Sequence, residues 1–204
     1  MAKREEGLTE RLIESAKQEF LKNGFQGASL RTIAENVGTT TRSIYIRYKD
    51  KEELFASLVE PVLSEWRAQF EVQKEKDYSL LEQKDLETMW ANSVMLNGLL
   101  DNIYANYDIF KLVICCSEGT KYANYIHEFV LLNQVETEKF MDAARTKGIA
   151  VKNIKEDELH LLLSAYITAI FEMVVHDYKK EDAGRYLRTL YEFFVPGWRA
   201  VLGL

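Results

Sequence analysis

The chain has 204 residues, of which 47% are hydrophobic and 28% are charged. This is ordinary globular usage, which excludes a disordered chain and provides enough apolar side chains for a core. Only 2 prolines and 10 glycines occur, whereas a β-sandwich or barrel of this length needs turn residues far more often. The composition therefore predicts an all-α fold.

Charge is distributed unevenly along the chain. The net charge of −6, taken as an average, argues against a nucleic-acid partner, because phosphate binding needs a basic surface. The first 60 residues, however, hold 10 basic and 10 acidic residues, so the excess acid lies in the remaining 144. Residues 22–51 carry a local charge of +4, because Glu35 and Asp50 stand against Lys22, Arg31, Arg42, Arg47, Lys49 and Lys51. The charge count therefore does not exclude a nucleic-acid partner for the N-terminal part.

Short helices are predicted at the N-terminal end of the chain. Apolar residues recur with helical spacing over residues 8–23, and Gly24 follows as a favoured C-terminal stop. Ser29 is placed to N-cap a second helix, which Gly38 ends after about two turns. A third short helix is expected near residues 40–46.

Longer helices are predicted from the fourth onward. The fourth begins at Asp50, where Glu53 completes a capping-box pattern. Pro61 should end or kink this helix, because proline lacks the backbone N–H. The polar stretch 74–79 is expected to be a connection, and the apolar run Leu159–Val175 a buried helix, because it is too short and too polar to span a membrane. The remaining predicted helices are Leu63–Gln73, Leu81–Asn106, Asp108–Ser117, Tyr122–Lys147, 156–178 and 182–202.

The most specific motif consists of Ala34, Gly38 and Ile44, at the spacing of a helix-turn-helix. Two helices that cross steeply through a short turn need a small residue on the first helix and an apolar anchor on the second. They also need a turn residue that tolerates positive φ, which glycine does. The motif spans about residues 28–47, and its second helix, near residues 40–46, is the candidate recognition helix.

Hydroxyl, guanidinium and phenol groups surround the expected buried anchor Ile44. Such groups bond phosphate oxygens and base edges, and arginine pairs most often with guanine. Arg42 suits a base or a phosphate equally, whereas Arg47 and Lys49 suit phosphate contacts or plain solvent exposure. Lys51 lies at the start of the fourth helix, where the helix dipole favours a phosphate oxygen. The predicted DNA-binding residues are Ser29, Thr40, Thr41, Arg42, Ser43, Tyr45, Arg47, Lys49 and Lys51.

Residues 33–54 resemble the DNA-binding signature of TetR-type transcriptional regulators, and with the preceding helix the likeness covers about residues 8–58. Tyr45, at the end of the candidate recognition helix, falls at its place in the family pattern. The chain departs from that pattern at Thr39, where an apolar residue is usual, and at Tyr48, where phenylalanine is commoner. Both departures conserve side-chain shape, so we expect the core geometry of the motif to hold.

The resemblance implies two domains and a mechanism. Residues 1–58 would form a three-helix DNA-binding domain, and residues 59–204 a larger helical domain for effector binding and dimerisation. Such regulators are homodimers joined through their last two long helices, here 156–178 and 182–202. A small-molecule effector moves the fourth helix and changes the separation of the two recognition helices, which must be about 34–36 Å to reach successive major grooves. The implied function is a repressor that an effector releases from a palindromic operator, with Pro61 as the candidate pivot.

Aromatic and methionine side chains in the middle helices are candidates for an apolar effector pocket. Such a pocket would suit an aromatic or lipophilic molecule, and plain core packing is the alternative role for each residue. The candidates are Met89, Trp90, Tyr104, Phe110, Tyr125, Phe129, Tyr166 and Phe171.

Other classes of function have weaker support. Cys115 and Cys116 are adjacent, whereas a disulfide framework or a metal site needs cysteines that are spaced apart, so we predict neither. We therefore expect a reducing, cytoplasmic setting. The two cysteines could either sense oxidants or simply be buried as small apolar residues. Asp157 and His160 mimic half of a di-iron motif, but no second acid-x-x-His pair and no common catalytic motif occurs. We therefore expect no enzyme, cofactor or metal. The alternative function is a helical protein-interaction adaptor, which would not account for the basic N-terminal segment.

Overall fold

The structure, a computed structural model, describes the backbone of residues 2–91 and 93–204 and the side chains of residues 7–90 and 98–204. Within this part the chain forms helices and no strand, which confirms the predicted all-α class. The helices are α1 (Ala2–Gly27), α2 (Leu30–Asn36), α3 (Thr41–Tyr45), α4 (Lys51–Gln83), α5 (Leu86–Ala91), α6 (Ser93–Ala105), α7 (Tyr107–Cys115), α8 (Tyr125–Thr146), α9 (Glu156–Val175) and α10 (Lys180–Leu202).

The chain packs into two compact units. The first contains the residues up to Trp66 together with Asn106–Ala123, and the second contains Arg67–Ala105 and Asn124–Leu204. The predicted boundary after residue 58 concerns function rather than packing and stays a prediction.

Aromatic rings form the core of the first unit. Phe55 of α4 lies with its ring centroid 5.1 Å from that of Phe20 and 5.5 Å from that of Phe25, and all three side chains are buried. Tyr122 closes the cluster 5.9 Å from Phe55. Edge-to-face and offset rings at these distances attract beyond the area that they bury, so this cluster binds α1, α4 and the segment after α7 together.

The turn after α1 is built as the sequence predicted. Gly24 has φ 67° and ψ 169°, which breaks the helical geometry of α1 where glycine was expected to stop it. The amide of the next residue, Phe25, donates to the carbonyl of Cys116 at 2.7 Å. The first helix is therefore interrupted where a residue without a Cβ allows it, and the chain turns toward α2.

Helix α4 corrects two predictions. It runs through Pro61, so of the two predicted outcomes the end of the helix at this residue is wrong, and the kink stays a prediction. Residues 74–79 are helical rather than a connection. Proline removes one backbone hydrogen bond, but the buried side chains of Val59 and Leu63 hold the helix on both sides of it. The polar stretch supports itself through pairs one turn apart, such as Gln73 Nε2 donating to Asp77 at 2.9 Å.

The single helix predicted over residues 81–106 is also wrong. Lys84 adopts φ 56° after the end of α4, and Asp85 then accepts a hydrogen bond from the amide of Thr88 at 3.1 Å, so α5 begins anew. Lysine in the left-handed region is uncommon, and the sequence carries neither glycine nor proline at this point to announce it. Residue 92, between α5 and α6, lies outside the described residues.

Helix α9 is the central helix of the second unit. Among the described helices it alone is long and apolar enough to cross a membrane by length and composition, a test that the core helix of a soluble protein also passes. It packs against α8 and α10, which supports its interpretation as a core helix. Its buried residues are Leu159, Leu163, Ile167, Phe171, Met173 and Val174.

Candidate functional site

Helices α2 and α3 form the predicted helix-turn-helix. Ser29 N-caps α2 by accepting a hydrogen bond from the amide of Thr32 at 3.3 Å. Gly38 adopts φ 71° in the turn, the conformation for which glycine was expected. Ala34 and Ile44 are each 1% exposed, so the small residue of the first helix and the anchor of the second both lie in the core.

The surface of α3 presents most of the predicted base-reading groups. Thr40, Arg42 and Tyr45 are exposed, and 56% of Tyr45 is accessible. Thr41 and Ser43 are half-buried, and the Ser43 hydroxyl accepts a hydrogen bond from Thr39 Oγ1 at 2.7 Å. The helix therefore offers a guanidinium and a phenol as its most accessible polar groups.

Arg47 ties two helices together. Its Nε donates to Thr9 Oγ1 of α1 at 2.9 Å, and its guanidinium donates to the carbonyl of Ser43 at 2.9 Å. This positioning role was not foreseen from the sequence, which gave no measure of the distance between Arg47 and Thr9. Lys49 is exposed, while its backbone amide donates to the carboxylate of Glu53.

Lys51 holds the turn between α1 and α2. Its Nζ donates to the carbonyls of Gln26 at 3.2 Å and Ala28 at 3.1 Å, and it lies 4.7 Å from the ring centroid of Phe25. An ammonium over an aromatic face and between two carbonyl oxygens is well satisfied. Lys51 therefore has a structural role in addition to the phosphate contact that the sequence predicts for it, and that contact stays a prediction.

Ile46 is an accessible residue that the sequence analysis missed. It caps the C-terminal end of α3 next to Tyr45, and 72% of it is exposed. The sequence could have indicated this exposure, because a residue two positions after the buried Ile44 lies about 200° around the helix and faces away from the core. An exposed isoleucine in this position can contact the methyl group of thymine.

A cavity of about 350 Å³ lies within the second unit. Four of the eight predicted effector residues line it: Met89, Trp90, Phe129 and Tyr166. Five further aromatic residues line it and were not among the candidates: Phe70, Tyr78, Phe140, Tyr191 and Trp198. Tyr78 was missed because its segment was predicted to be a connection rather than part of α4.

The other four predicted effector residues do not line the cavity. Phe110 belongs to the first unit, where its ring centroid lies 5.2 Å from that of Trp66. The hydroxyl of Tyr104 donates to the carbonyl of Tyr178 at 2.6 Å. Tyr125 and Phe171 are buried and pack behind the cavity wall, against the ring of Phe129.

Charged and polar groups occupy part of the cavity lining. One carboxylate oxygen of Glu136 lies 3.6 Å from Lys74 Nζ, and the other accepts a hydrogen bond from Lys139 at 2.8 Å. Hydrogen bonding by Lys139 is the main reason why the pKa of Glu136 is lowered. Burial raises the pKa of Asp77, and the amide of Gln73 opposes this by donating a hydrogen bond to it.

Large apolar side chains are exposed on the two last helices, the predicted dimerisation elements. Leu161 of α9 is 67% exposed and Phe193 of α10 is 74% exposed. Helix α8 exposes Leu131, Leu132 and Val135 as well, so exposed apolar residues are found on all three of these helices. Such residues are typical of an interface when they form a contiguous patch.

The two cysteines differ in environment. Cys115 is exposed, whereas Cys116 is buried, and burial is the main reason why the pKa of the Cys116 thiol is raised. A raised pKa disfavours the thiolate, which is the reactive form. The carbonyl of Cys116 instead has a structural role as the acceptor for the Phe25 amide.

The N-terminal sequence is similar to known regulators. Residues 12–58 match the family described as bacterial regulatory proteins, tetR family. Over 47 residues the chain is 36% identical to the HTH-type transcriptional repressor AcnR of Corynebacterium diphtheriae. That match covers 23% of the chain and 25% of AcnR, so the likeness spans about a quarter of this curated relative.

Solved structures share the fold over nearly the whole chain. NalD, the secondary repressor of the MexAB-OprM multidrug efflux pump in Pseudomonas aeruginosa, aligns with a TM-score of 0.56 at 17% identity, over 92% of this chain and 96% of its own. The fatty acid degradation regulator FadR of Bacillus halodurans aligns with a TM-score of 0.52 at 16% identity, over 93% and 98%. At these identities the likeness concerns the fold alone. The family match and the repressor relative therefore concern the N-terminal residues 12–58, and the shared fold extends over nearly the whole chain.

Proposed function

We propose that the protein is a DNA-binding transcriptional repressor that acts as a homodimer on a palindromic operator. The observation that carries this proposal is the helix-turn-helix within the family-matched residues 12–58, with Arg42 and Tyr45 exposed on its second helix. The name of the relative AcnR favours repression over activation. This role needs no catalytic group, and it places the protein with the chromosomal DNA in the cytoplasm.

DNA recognition is assigned to α3. Arg42 supplies the bidentate donor that guanine or a phosphate accepts, and Tyr45 and Ile46 supply hydroxyl and apolar contacts beside it. The local charge of +4 over residues 22–51 favours phosphate binding in this region, although the whole chain is acidic. The acidic remainder of the chain disfavours non-specific adhesion to DNA.

Dimerisation is assigned to α9 and α10. Their exposed apolar residues, among them Leu161 and Phe193, would be buried against the same helices of a second copy. The symmetry of a dimer matches the symmetry of a palindromic operator, with one recognition helix for each half-site. Helices α9 (Glu156–Val175) and α10 (Lys180–Leu202) correspond to the predicted dimerisation segments 156–178 and 182–202.

Release from the operator is assigned to a small molecule in the cavity of the second unit. The cavity volume of about 350 Å³ suits a drug-sized ligand. Helix α4 supplies cavity residues from Phe70 onward, and its first turn carries Lys51, which holds the turn before α2. A ligand that displaces α4 would therefore act on the same helix that supports the DNA-binding motif, with Pro61 as the proposed pivot.

Binding of the purified protein to duplex DNA from upstream of its own gene tests the proposal. We expect affinity to fall steeply with salt, and Tyr45→Ala and Arg42→Ala to weaken binding about tenfold or more, since a good base contact is worth roughly 1–3 kcal/mol. Lys76→Ala removes an exposed cation from the second unit and is the control, with wild-type affinity expected. Unchanged affinity in Tyr45→Ala would contradict the assignment of α3, and absence of salt-dependent DNA binding in the wild type would favour a protein-interaction adaptor.

A further inference from the structure

We propose that the ligand of the second-unit cavity is a lipophilic cation, with the carboxylate of Asp77 as its counter-charge and aromatic rings as its walls. This inference rests on the proposed function, in which the cavity is the effector site, and it specifies the chemical class of the effector.

Aromatic side chains from five of the described helices, α4, α5, α8, α9 and α10, line the cavity. Phe70 and Tyr78 come from α4, and their partners Phe129 and Phe140 come from α8, with ring centroids 5.8 Å and 5.5 Å apart. Trp198 of α10 lines the wall as well. The face of an aromatic ring carries partial negative charge and attracts a cation more strongly than it attracts a neutral molecule of the same shape. The walls therefore favour a flat organic cation over an anion.

Among the described side chains, one carboxylate of the cavity lining, that of Asp77, makes no ion pair. Lys74 is shared between Glu71 and Glu136, and Glu136 also accepts from Lys139. Asp77, by contrast, has no ion pair among the residues whose side chains are described, and its one hydrogen-bond donor there is the neutral amide of Gln73 at 2.9 Å. Burial is the largest influence on the pKa of Asp77 and raises it, against the hydrogen bond from Gln73 and the charge of the exposed Lys76, which makes no ion pair with Asp77.

The indole of Trp90 adds a second requirement. It lines the cavity, and its N–H is buried without an acceptor in the described part of the structure. The hydroxyl of Tyr191 donates to the backbone carbonyl of Trp90, which holds this residue in place. A buried N–H without an acceptor is unfavourable, so a ligand that also carries a hydrogen-bond acceptor fits better than a pure hydrocarbon cation.

Other ligand classes fit the same groups less well. An anion would meet Asp77 without a free lysine to offset the repulsion, since Lys74 already faces two carboxylates. A neutral apolar molecule would bury the Asp77 carboxylate further with only the Gln73 amide as its partner, which is unfavourable for a charge. A cation is the class that satisfies Asp77 and uses the rings at the same time.

The test uses a matched pair of fluorescent probes on the full-length protein. Thioflavin T is a cationic benzothiazolium dye, and its analogue 2-(4-dimethylaminophenyl)benzothiazole has nearly the same shape without the charge. We expect the wild type to bind the cationic probe about tenfold more tightly, because a charge pair in a partly buried site is worth at least one factor of ten. Asp77→Asn should remove most of this preference, leaving only the part that the aromatic rings contribute, and keep the affinity for the neutral probe. Glu75→Gln removes an exposed carboxylate of the same helix from outside the lining and should keep the preference.

Three results would overturn the inference: equal affinity of the wild type for both probes, no binding of the cationic probe, or an unchanged preference in Asp77→Asn. Operator binding by the same proteins without probe is measured in parallel. If the wild type binds the operator and any of these three results is found, the proposed ligand class is wrong and the proposed regulatory function stands. Absence of DNA binding removes the proposed function whatever the probes do.

Discussion

The two units use aromatic residues in opposite ways. In the first unit the buried rings of Phe20, Phe25 and Phe55 pack against one another, with centroids 5.1–5.9 Å apart. In the second unit Phe129 and Tyr166 face a cavity of about 350 Å³. Close packing suits a part that must present α3 in one geometry, whereas incomplete packing leaves room for a ligand. Aromatic content alone therefore does not distinguish a core from a binding site.

Polar groups follow the same division. At the base of the helix-turn-helix, Glu19 accepts from the amide of Ser29 at 3.0 Å, and Arg47 donates to Thr9, while Arg42 and Tyr45 are exposed on α3. In the second unit the Trp90 indole has no acceptor among described residues, and Asp77 has only an amide. Satisfied groups rigidify a surface, while unsatisfied ones in a cavity invite a ligand. Three experiments test this difference between the units.

The largest effect is expected from Phe55→Ala compared with Phe129→Ala. Phe55 is 0% exposed within a filled aromatic cluster, so its truncation should lower the free energy of unfolding by about 3–5 kcal/mol. Phe129 borders existing empty space, and its truncation should cost about 1–2 kcal/mol, because less apolar contact is lost. Chemical denaturation of both variants measures the difference. Equal losses would mean that the second unit is packed as tightly as the first.

A medium effect is expected from Lys51→Met. The variant keeps the apolar stem but loses both carbonyl hydrogen bonds and the cation over Phe25, and it should lose about 1–2 kcal/mol of unfolding free energy. Lys49→Met is the matched control, since the Lys49 side chain is exposed and its replacement should change stability by less than about 0.5 kcal/mol. If the two variants are equally stable, Lys51 does not hold the turn, and its role is confined to DNA.

The smallest effect is expected from Asp77→Asn. Burial raises the folded-state pKa of Asp77 above its ordinary value of 3.8, so its charged form opposes folding at neutral pH. Asparagine carries no charge, and the variant should therefore be more stable than the wild type at pH 7 by up to about 0.5 kcal/mol. The difference should vanish as the pH falls below 3.8, where the carboxyl group is protonated in both states. Thermal unfolding across this range measures it, and a variant less stable at pH 7 would indicate that Asp77 already has a compensating partner.

Local signals predicted the DNA-binding motif well. Ser29 as a cap, Gly38 as a turn residue and Ile44 as an anchor all depend on neighbours within about six residues, so their spacing was sufficient. Pro61 misled the prediction for the opposite reason. Its local cost was visible in the sequence, whereas the buried contacts of Val59 and Leu63 that outweigh it were not.

The effector residues could be predicted only in part. Their residue types were a sound guide, and Trp90 and Tyr166 do line the cavity. Phe110 was indistinguishable from them by type, yet it packs in the first unit. Asp77 was not predicted because it lies in a polar stretch, and the sequence does not indicate which of its carboxylates lies near aromatic rings. Those rings belong to α8, more than 50 residues later in the chain.

By itself, the sequence determined the all-α class, the position of the helix-turn-helix and the likeness of residues 12–58 to the tetR family, because helical periodicity, capping and turn residues act over a few positions. Only the tertiary structure decided that α4 is continuous, that Lys51 and Arg47 are bound internally, and where the cavity lies. These features arise from contacts between residues that are distant in the chain. Their energies outweigh local preferences of about one kcal/mol per residue, and no local pattern encodes them.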